Sequence, residues 1–381
     1  MDFLTTLPGI GSGFLGYALP ALFVFTVVVF FHELGHYWVG RICNVGIDAF
    51  SIGFGGELVG YTDKHGTRWK LCWIPLGGYV KFRGDENAAS VPDNAALNQM
   101  AEEERQLTLA GKTVGQRAAV VAAGPAASFL LSIVIFAGMF VFLGKPIIPP
   151  IVSEVIEDSA AQEAGLIVDD RILSVDGAEV ESFTDLQRIV TANADRTLSL
   201  VVDRNGDEVV LEATPRRQEL TDRFGNTQRV GVLGIRQSAQ REDIVIKSFN
   251  PVTGVVEGVK ETSFIVTRTL GYLWGIVTGR ESADQLGGPI RVVNMSSQVA
   301  AISFVALLNL TAVLSASIGL INLFPIPMLD GGHLAFYAVE AVRGKPLSER
   351  AQEYGFRAGL ALILLLFLFV NWNDINFLMG S

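Results

Sequence analysis

The sequence predicts a polytopic α-helical membrane protein with four spans, a β-rich segment after the first span and one small α+β domain between the second and third. Three observations carry this reading. Half of the 381 residues are hydrophobic and the mean hydropathy is positive. Charged residues make up 18%, below the roughly one quarter usual for a soluble domain. Four apolar stretches approach the roughly 20 residues that a bilayer core demands of a helix.

The first span is predicted over about residues 17–39. No Lys or Arg precedes it, so the basic region of a cleaved signal peptide is missing and the run reads as a retained span. The second is predicted over about 118–144, with Gly124-Pro125 inside it, the third over about 302–324 and a short fourth over about 356–372. Orientation follows from the basic residues of the connecting segments. Arg41, Lys64, Arg68, Lys70, Lys81, Arg83, Arg105, Lys112 and Arg117 lie between spans 1 and 2, and Arg343, Lys345 and Arg350 between spans 3 and 4. The two tails have none. Both termini are therefore expected outside, with the two basic segments in the cytoplasm and the long segment between spans 2 and 3 facing outward. A net charge of −10 without any basic block excludes a nucleic-acid partner. Two cysteines, Cys43 and Cys72, are too few for a disulfide framework and are expected as free thiols in a reducing compartment.

The outward segment opens with a small soluble domain, about 148–237. "RILSVDGAEV" reads as strand, turn and strand, with Asp176-Gly177 at the turn. A helix begins at a capping Ser182 or Thr184, and Asn205-Gly206 marks a further hairpin. From about 242 to 300 the pattern is amphipathic and helical, broken by "LGGPI" at 286–290, which reads equally as a hinge or as an ordinary loop. The division is thus 1–144, 145–237, 238–300 and 301–381.

Residues 50–82, rich in glycine and aromatics, are too broken for a spanning helix and read as a β-hairpin or meander. Non-helical backbone at membrane depth is tolerated only where protein or water covers it. A sheet there leaves an edge able to pair with another extended chain. Gly53, Gly55 and Gly56 would permit close approach of a second backbone, or simply make turns.

The end of span 1 carries His32-Glu33-Leu34-Gly35-His36. Residues four apart share a helix face, so His32 and His36 can reach one metal ion. Glu33, roughly 100° around the helix, can act on a water at that ion. Two imidazoles suit Zn²⁺, whose catalytic sites have three protein ligands and a water, and HExxH on a helix is the metalloprotease pattern. Such a pattern arises by chance in soluble helices, but ionisable residues inside a span are functional by default. The third ligand must come from elsewhere. Asp330 follows span 3, which runs in the same direction as span 1, so loop charges alone put Asp330 and HExxH at one level, in the cytoplasmic half. Pro325 and Pro327 stop the preceding helix, and Gly331-Gly332 allows a tight turn. His333 is a rival ligand. Cys43 lies past the reach of a straight helix, and His65, in the turn of the β segment, reads as solvated.

HELGH in span 1, the GP-containing span 2 and "NLFPIPMLDGG" after span 3 resemble the site-2 protease family of intramembrane zinc metalloproteases. "FSIGFG", "IPLGGYVKF" and "LGGPI" resemble its bacterial regulator-of-sigma-E (RseP-like) branch, and the likeness covers nearly the whole chain. The resemblance implies His32, His36 and Asp330 as zinc ligands, Glu33 as the catalytic acid/base, and Asn322 as a holder of substrate backbone or developing oxyanion, with Pro325 and Pro327 in the same substrate-binding turn. It implies a membrane-re-entrant β-loop that pairs with an unwound substrate and a periplasmic PDZ-like domain. The setting would be the bacterial inner membrane, the substrates single-span proteins such as anti-sigma factors or signal-peptide remnants, already cut once by another protease. Two departures stand out. Many relatives carry tandem PDZ domains, and this chain has room for one. Where relatives often have Asn after the GP of span 2, this chain has Ser128.

The rival reading is an inactive membrane scaffold or chaperone that binds partners through the PDZ-like domain. The complete set of Glu33, two histidines and Asp330 speaks against it. A metal transporter would want polar residues along several spans, and spans 2 and 4 have almost none.

Overall fold

The computed structural model describes residues 14–85, 94–221, 227–237, 244–279, 281–283 and 286–380. The expected N-terminal tail and residues 238–243 lie outside them. The chain begins with helix α1 (Phe14–Ile42), strands β1 (Ile47–Thr62) and β2 (Arg68–Phe82), two short helices α2 (Asn94–Gln99) and α3 (Glu102–Arg105), and α4 (Val114–Phe142). Then come β3 (Lys145–Ile147), β4 (Glu154–Val155), α5 (Ala160–Glu163), β5 (Arg171–Val175), β6 (Ala178–Glu179) and α6 (Phe183–Ala192). Strands β7 (Leu198–Arg204), β8 (Asp207–Ala213), β9 (Arg216–Thr221), β10 (Thr227–Val232), β11 (Ile235–Arg236) and β12 (Val245–Lys247) follow. Helices α7 (Pro251–Val277), α8 (Pro289–Ile302), α9 (Phe304–Asn322), α10 (Asp330–Arg343) and α11 (Glu349–Gly380) complete the chain.

Four of these helices are long and apolar enough to cross a membrane: Gly16–Ile42, Val114–Phe142, Phe304–Asn322 and Glu349–Asn376. They coincide with the four predicted spans, and the chain is a polytopic membrane protein. The last helix extends well past 356–372 at both ends. Hydropathy marks only its apolar middle, while flanking polar residues such as Glu353 and Arg357, ion-paired at i,i+4, continue the same helix. Its middle turns Leu364, Leu365, Phe367 and Leu368 outward, a surface that water disfavours and lipid accepts. Helix α10 has no counterpart in the sequence reading, which saw only the turn after Asp330.

The chain forms two compact units: one of Met1–Gly138, Thr253–Gly271 and Asp284–Ser381, the other of Met139–Val252 and Tyr272–Ala283. In the first, α1 packs on β1, β2, α8 and α9. Its cores are a cluster around Tyr37, Ile47, Phe50, Val80 and Phe82, and a second around Val24, Val28 and Leu307. The hairpin pairs antiparallel, but its strands double back. Residues 49–52 pair on one side with 78–81 and on the other with 68–71, while 57–62 pair with 68–72. The lateral order is therefore 78–82, 47–52, 68–72, 57–62, and 78–82 is an edge; among the described residues no strand covers its outer side. The hairpin turn is locked by Asp63, which accepts from the backbone N–H of His65 and Thr67, from Trp69 Nε1 and from Tyr37 Oη of α1.

In the second unit a four-stranded antiparallel sheet runs β6-β5-β7-β8. The predicted strand–turn–strand and the Asn205-Gly206 hairpin are its members. Helix α6 starts at Ser182, which forms a reciprocal capping box with Asp185. Leu186 and Val190 of that helix close over Ile172, Leu198 and Leu200 of the sheet. Strands β9 and β10 form a separate antiparallel ribbon. Asp170 is buried and receives a fork from Arg204, whose Nε and Nη2 each lie 2.8 Å from its oxygens, plus the Ile167 N–H. Burial alone would raise this carboxyl, but the Arg204 fork and the Ile167 N–H outweigh it and hold it below the usual carboxylate range.

Candidate active site

Three of the chain's four histidines line one cavity of about 190 Å³ in the first unit, together with Glu33, Asn322 and Asp330. Its remaining walls include Gly78, Tyr79, Val80 and Phe82 of the edge strand, Val121 of α4, and Met328 and Leu329. The apolar character of α1 drives it into the bundle, and the i,i+4 spacing carries both imidazoles in on one face. Both histidines are buried.

Asp330 arrives by a forced turn. Helix α9 ends at Asn322, and Met328 adopts φ +88°, left-handed backbone that a non-glycine residue rarely takes. The chain thereby reverses and starts α10 with Asp330 at its first position. Asp330 Oδ2 lies 3.2 Å from His32 Nε2, and Oδ1 lies 3.5 Å from His36 Nε2. The two Nε2 atoms are 3.3 Å apart, and all three residues offer a donor atom within 4.8 Å of one another.

The outer nitrogens decide what the inner ones can do. His36 Nδ1 is 2.9 Å from the Val120 carbonyl. A carbonyl only accepts, so Nδ1 carries the hydrogen, and in the neutral ring Nε2 turns a bare lone pair inward. His32 Nδ1 is 3.0 Å from Ser128 Oγ; donation from Nδ1–H to that oxygen gives His32 the same tautomer. Asp330 Oδ2 is buried and out of line for a hydrogen bond despite its closeness to His32. With the hydrogen of each ring on Nδ1, the two Nε2 lone pairs and the carboxylate converge on one point, an arrangement that a cation resolves. Tetrahedral zinc with bonds of about 2.0–2.1 Å would set its ligand atoms about 3.3 Å apart, the spacing found here. The residues present fit a zinc ion.

Helix α4 is the backing plate of this site. A Cβ at Gly35 would fall 2.2 Å from the Ala123 carbonyl oxygen, and one at Gly124 would fall 2.2 Å from His36 Nε2 and 2.9 Å from His32 Nε2. Only glycine lets the two helices meet with the rings between them. Ser128 is itself fixed, its carbonyl accepting from Ser315 Oγ of α9 at 2.7 Å.

Glu33 sits on the opposite flank. Its carboxylate receives a backbone hydrogen bond from Val80 of β2, and Gly78 lies against its side chain. Among the other predicted residues, Asn322 lines the cavity; Gly53, Gly55, Gly56, Pro325 and Pro327 are not among its lining residues. Pro327 instead packs against Gly359 of α11, and the edge facing Glu33 belongs to 78–82. His333, the rival ligand, is buried in the cavity wall with its ring 5.5 Å from Phe356 and is not in the converging donor group. His65 is exposed in the hairpin turn. Cys43 and Cys72 are free thiols. Sequence alone did not show the Val120 carbonyl or Gly124, and it tied the expected sheet edge to Gly53, Gly55 and Gly56 where the structure has 78–82 beside the cavity; Ser128 was visible only as a departure.

A model of peptidase family M50 matches residues 20–366. The chain is 50% identical to a "putative zinc metalloprotease" of Agrobacterium fabrum over 370 residues, covering 97% of this chain and 98% of that one. It is 48% identical to another so named from Rhizobium meliloti, covering 96% and 98%. It is 40% identical to the metalloprotease MmpA of Caulobacter vibrioides, covering 96% of each.

Proposed function

The chain belongs to peptidase family M50 and is a zinc metalloprotease; from that premise we propose that it hydrolyses a peptide bond within the membrane-spanning segment of single-span proteins. The observation that carries the proposal is the pairing of two features in one cavity. His32 and His36 lie on a helix of spanning length and converge with Asp330, and a strand edge, 78–82, that no other described strand covers lines the same space.

A scissile bond in a helix has its carbonyl hydrogen-bonded and shielded. The substrate must unwind, and strand 78–82 can supply the backbone hydrogen bonds that unwinding forfeits. This supports reading the hairpin as a membrane-re-entrant β-loop. His32, His36 and Asp330 would hold Zn²⁺, which supplies a Lewis acid that lowers the pKa of water toward ~7. Glu33 takes the proton of the attacking water and passes it to the leaving amide nitrogen, so that water and peptide become a carboxylate and an amine. Asn322, on the cavity wall, donates from its side-chain amide to the carbonyl as charge develops on its oxygen. Val120 and Ser128 keep the imidazoles in the tautomer that the site needs.

The loop charges support outward-facing termini with the catalytic end toward the cytoplasm, and the family likeness supports a bacterial inner membrane, which makes the outward side periplasmic. The β6-β5-β7-β8 sheet closed by α6 supports a PDZ-like reading of residues 145–237. We read that domain as a periplasmic filter that admits substrates already shortened by another protease.

The test is zinc analysis of the purified full-length protein with a cleavage assay on candidate single-span proteins, in wild type and Glu33→Gln. Both should hold one zinc per chain, and the variant should lose about 10³-fold in rate. Cleavage by Glu33→Gln at the wild-type rate would refute the mechanism, and failure to cut any single-span protein would refute the substrate class.

A further inference from the structure

A second cavity, of about 300 Å³, shares His333 with the catalytic cavity. Building on the intramembrane reading above, we propose that it receives the cytoplasmic flank of the substrate and selects lysine or arginine there. Strand β2 gives Gly78, Tyr79, Val80 and Phe82 to the catalytic cavity, and Asp85, just past the strand's end, lines the second. Helix α10 gives Asp330 to the first, His333 to both, and Tyr337 and Glu340 to the second. Positions 330, 333, 337 and 340 follow the spacing of a single helix face. The same two elements, the end of β2 and helix α10, thus line both cavities. On this proposal a peptide extended along the 78–82 edge continues past Phe82 toward Asp85.

Charge names the occupant. The second cavity is lined by three carboxylates, Asp85, Glu340 and Glu349, against one guanidinium, Arg117. That guanidinium is already engaged: Nη2 lies 2.5 Å from Glu340, and its centre stands 4.8 Å over the Tyr337 ring. The cavity therefore carries excess negative charge beside the apolar surfaces of Phe336, Leu347 and Phe356. That combination suits a long aliphatic stem with a cationic head. Single-span proteins carry Lys and Arg at their cytoplasmic ends. Asp85 lies in the segment between the first two spans and Glu349 at the first residue of α11, the end of the fourth span that follows the other basic segment, both on the side that the loop charges assign to the cytoplasm.

The experiment uses full-length protein in nanodiscs, in a Glu33→Gln background so that binding is read without turnover. Labelled single-span peptides differ only in a Lys-Lys, Gln-Gln or Glu-Glu cytoplasmic flank. The Lys-Lys peptide should bind about 3- to 10-fold tighter than the Gln-Gln peptide, with the ratio falling as salt rises. Adding Asp85→Asn and Glu349→Gln should shrink the ratio below about 2-fold. Glu349 is exposed, so Glu349→Lys alone keeps the fold and should turn the preference toward the Glu-Glu flank. Equal binding of all three peptides, or a preference unmoved by Glu349→Lys, overturns the proposal. Wild-type cleavage is measured in parallel. Lysine preference in binding with no cleavage of any peptide would count against the proposed reaction and leave the subsite standing.

Discussion

Gly124 of α4 lies so close to His36 of α1 that a Cβ added to it would come within 2.2 Å of the ring's Nε2. The inward-facing nitrogen of the imidazole is therefore seated on bare backbone. Gly124→Ala should push both rings out of convergence, because His32 Nε2 is only 2.9 Å from the same point. The helix itself should not suffer, since alanine is the better helix former by about 1 kcal/mol. The expected outcome is far-ultraviolet circular dichroism like wild type, zinc content below about a tenth of an ion per chain, and activity down about 100-fold or more. Wild-type zinc content in this variant would mean that the rings have another seat.

Ser128 should act on zinc through His32. Ser128→Ala removes the oxygen 3.0 Å from His32 Nδ1 and frees the ring to turn or change tautomer. Loss of such an outer partner lowers metal affinity about 10- to 100-fold. Chelator competition measures it. Ser315→Ala is the control: it removes the bond to the Ser128 carbonyl and touches neither ring. It should lower the thermal midpoint and leave zinc affinity within about 2-fold, the pattern of a packing contact alone.

How legible the molecule was in its sequence depended on how far apart the interacting residues lie. The four spans were readable because hydropathy is a local property; their ends were not, because polar turns such as the one holding Glu353 and Arg357 prolong a helix without marking it. The imidazole pair follows from a helical period of four residues. Asp330 could be placed at the right level only through loop charges, which choose between two orientations and carry no distances. Ser128, Val120 and Gly124 were beyond reach because their roles exist only where α4 crosses α1, 84 and 96 residues away in the case of the two histidine bonds. The same holds for the edge strand. Alternation marked residues 50–82 as β structure, but only the doubling back of both strands makes 78–82, and not the stretch around Gly53, Gly55 and Gly56, the one that borders Glu33.

The "LGGPI" stretch is anchored rather than loose, and Asp374 is its anchor. This buried carboxylate of α11 accepts from the backbone N–H of Gly288 at 2.9 Å and of Arg291 at 3.0 Å, at the start of α8. It also lies 3.4 Å from Arg291 Nε. A proline at the first helical position removes one donor that would otherwise need a partner. Asp374→Ala leaves two amides and a guanidinium poorly served and should cost about 3 kcal/mol. Asp374→Asn, which keeps a neutral acceptor, should cost about half of that. Thermal unfolding of the full-length protein measures both, and limited proteolysis should show new cleavage at 286–291 in the alanine variant first. Stability equal to wild type in Asp374→Ala would mean that α8 starts without this cap.

The Asp170–Arg204 pair makes the second unit sensitive to acid. Its carboxyl is held below the usual range in the folded chain, so the folded state binds that proton less readily than the unfolded one. The stabilisation is complete above the unfolded carboxyl value, about 3.9, and is lost as pH falls through the lower folded value. Asp170→Asn should destabilise the unit at pH 7 by roughly 2–3 kcal/mol, because it leaves the Arg204 fork with a weaker acceptor. Below about pH 4 the wild type begins to lose the same interaction, so the difference between the two proteins should narrow there. The check is a set of thermal unfolding curves of both full-length proteins between pH 3 and pH 7, followed by far-ultraviolet circular dichroism. A constant gap across that range would mean that the carboxyl titrates alike in the folded and unfolded chains, and that Arg204 contributes nothing through charge.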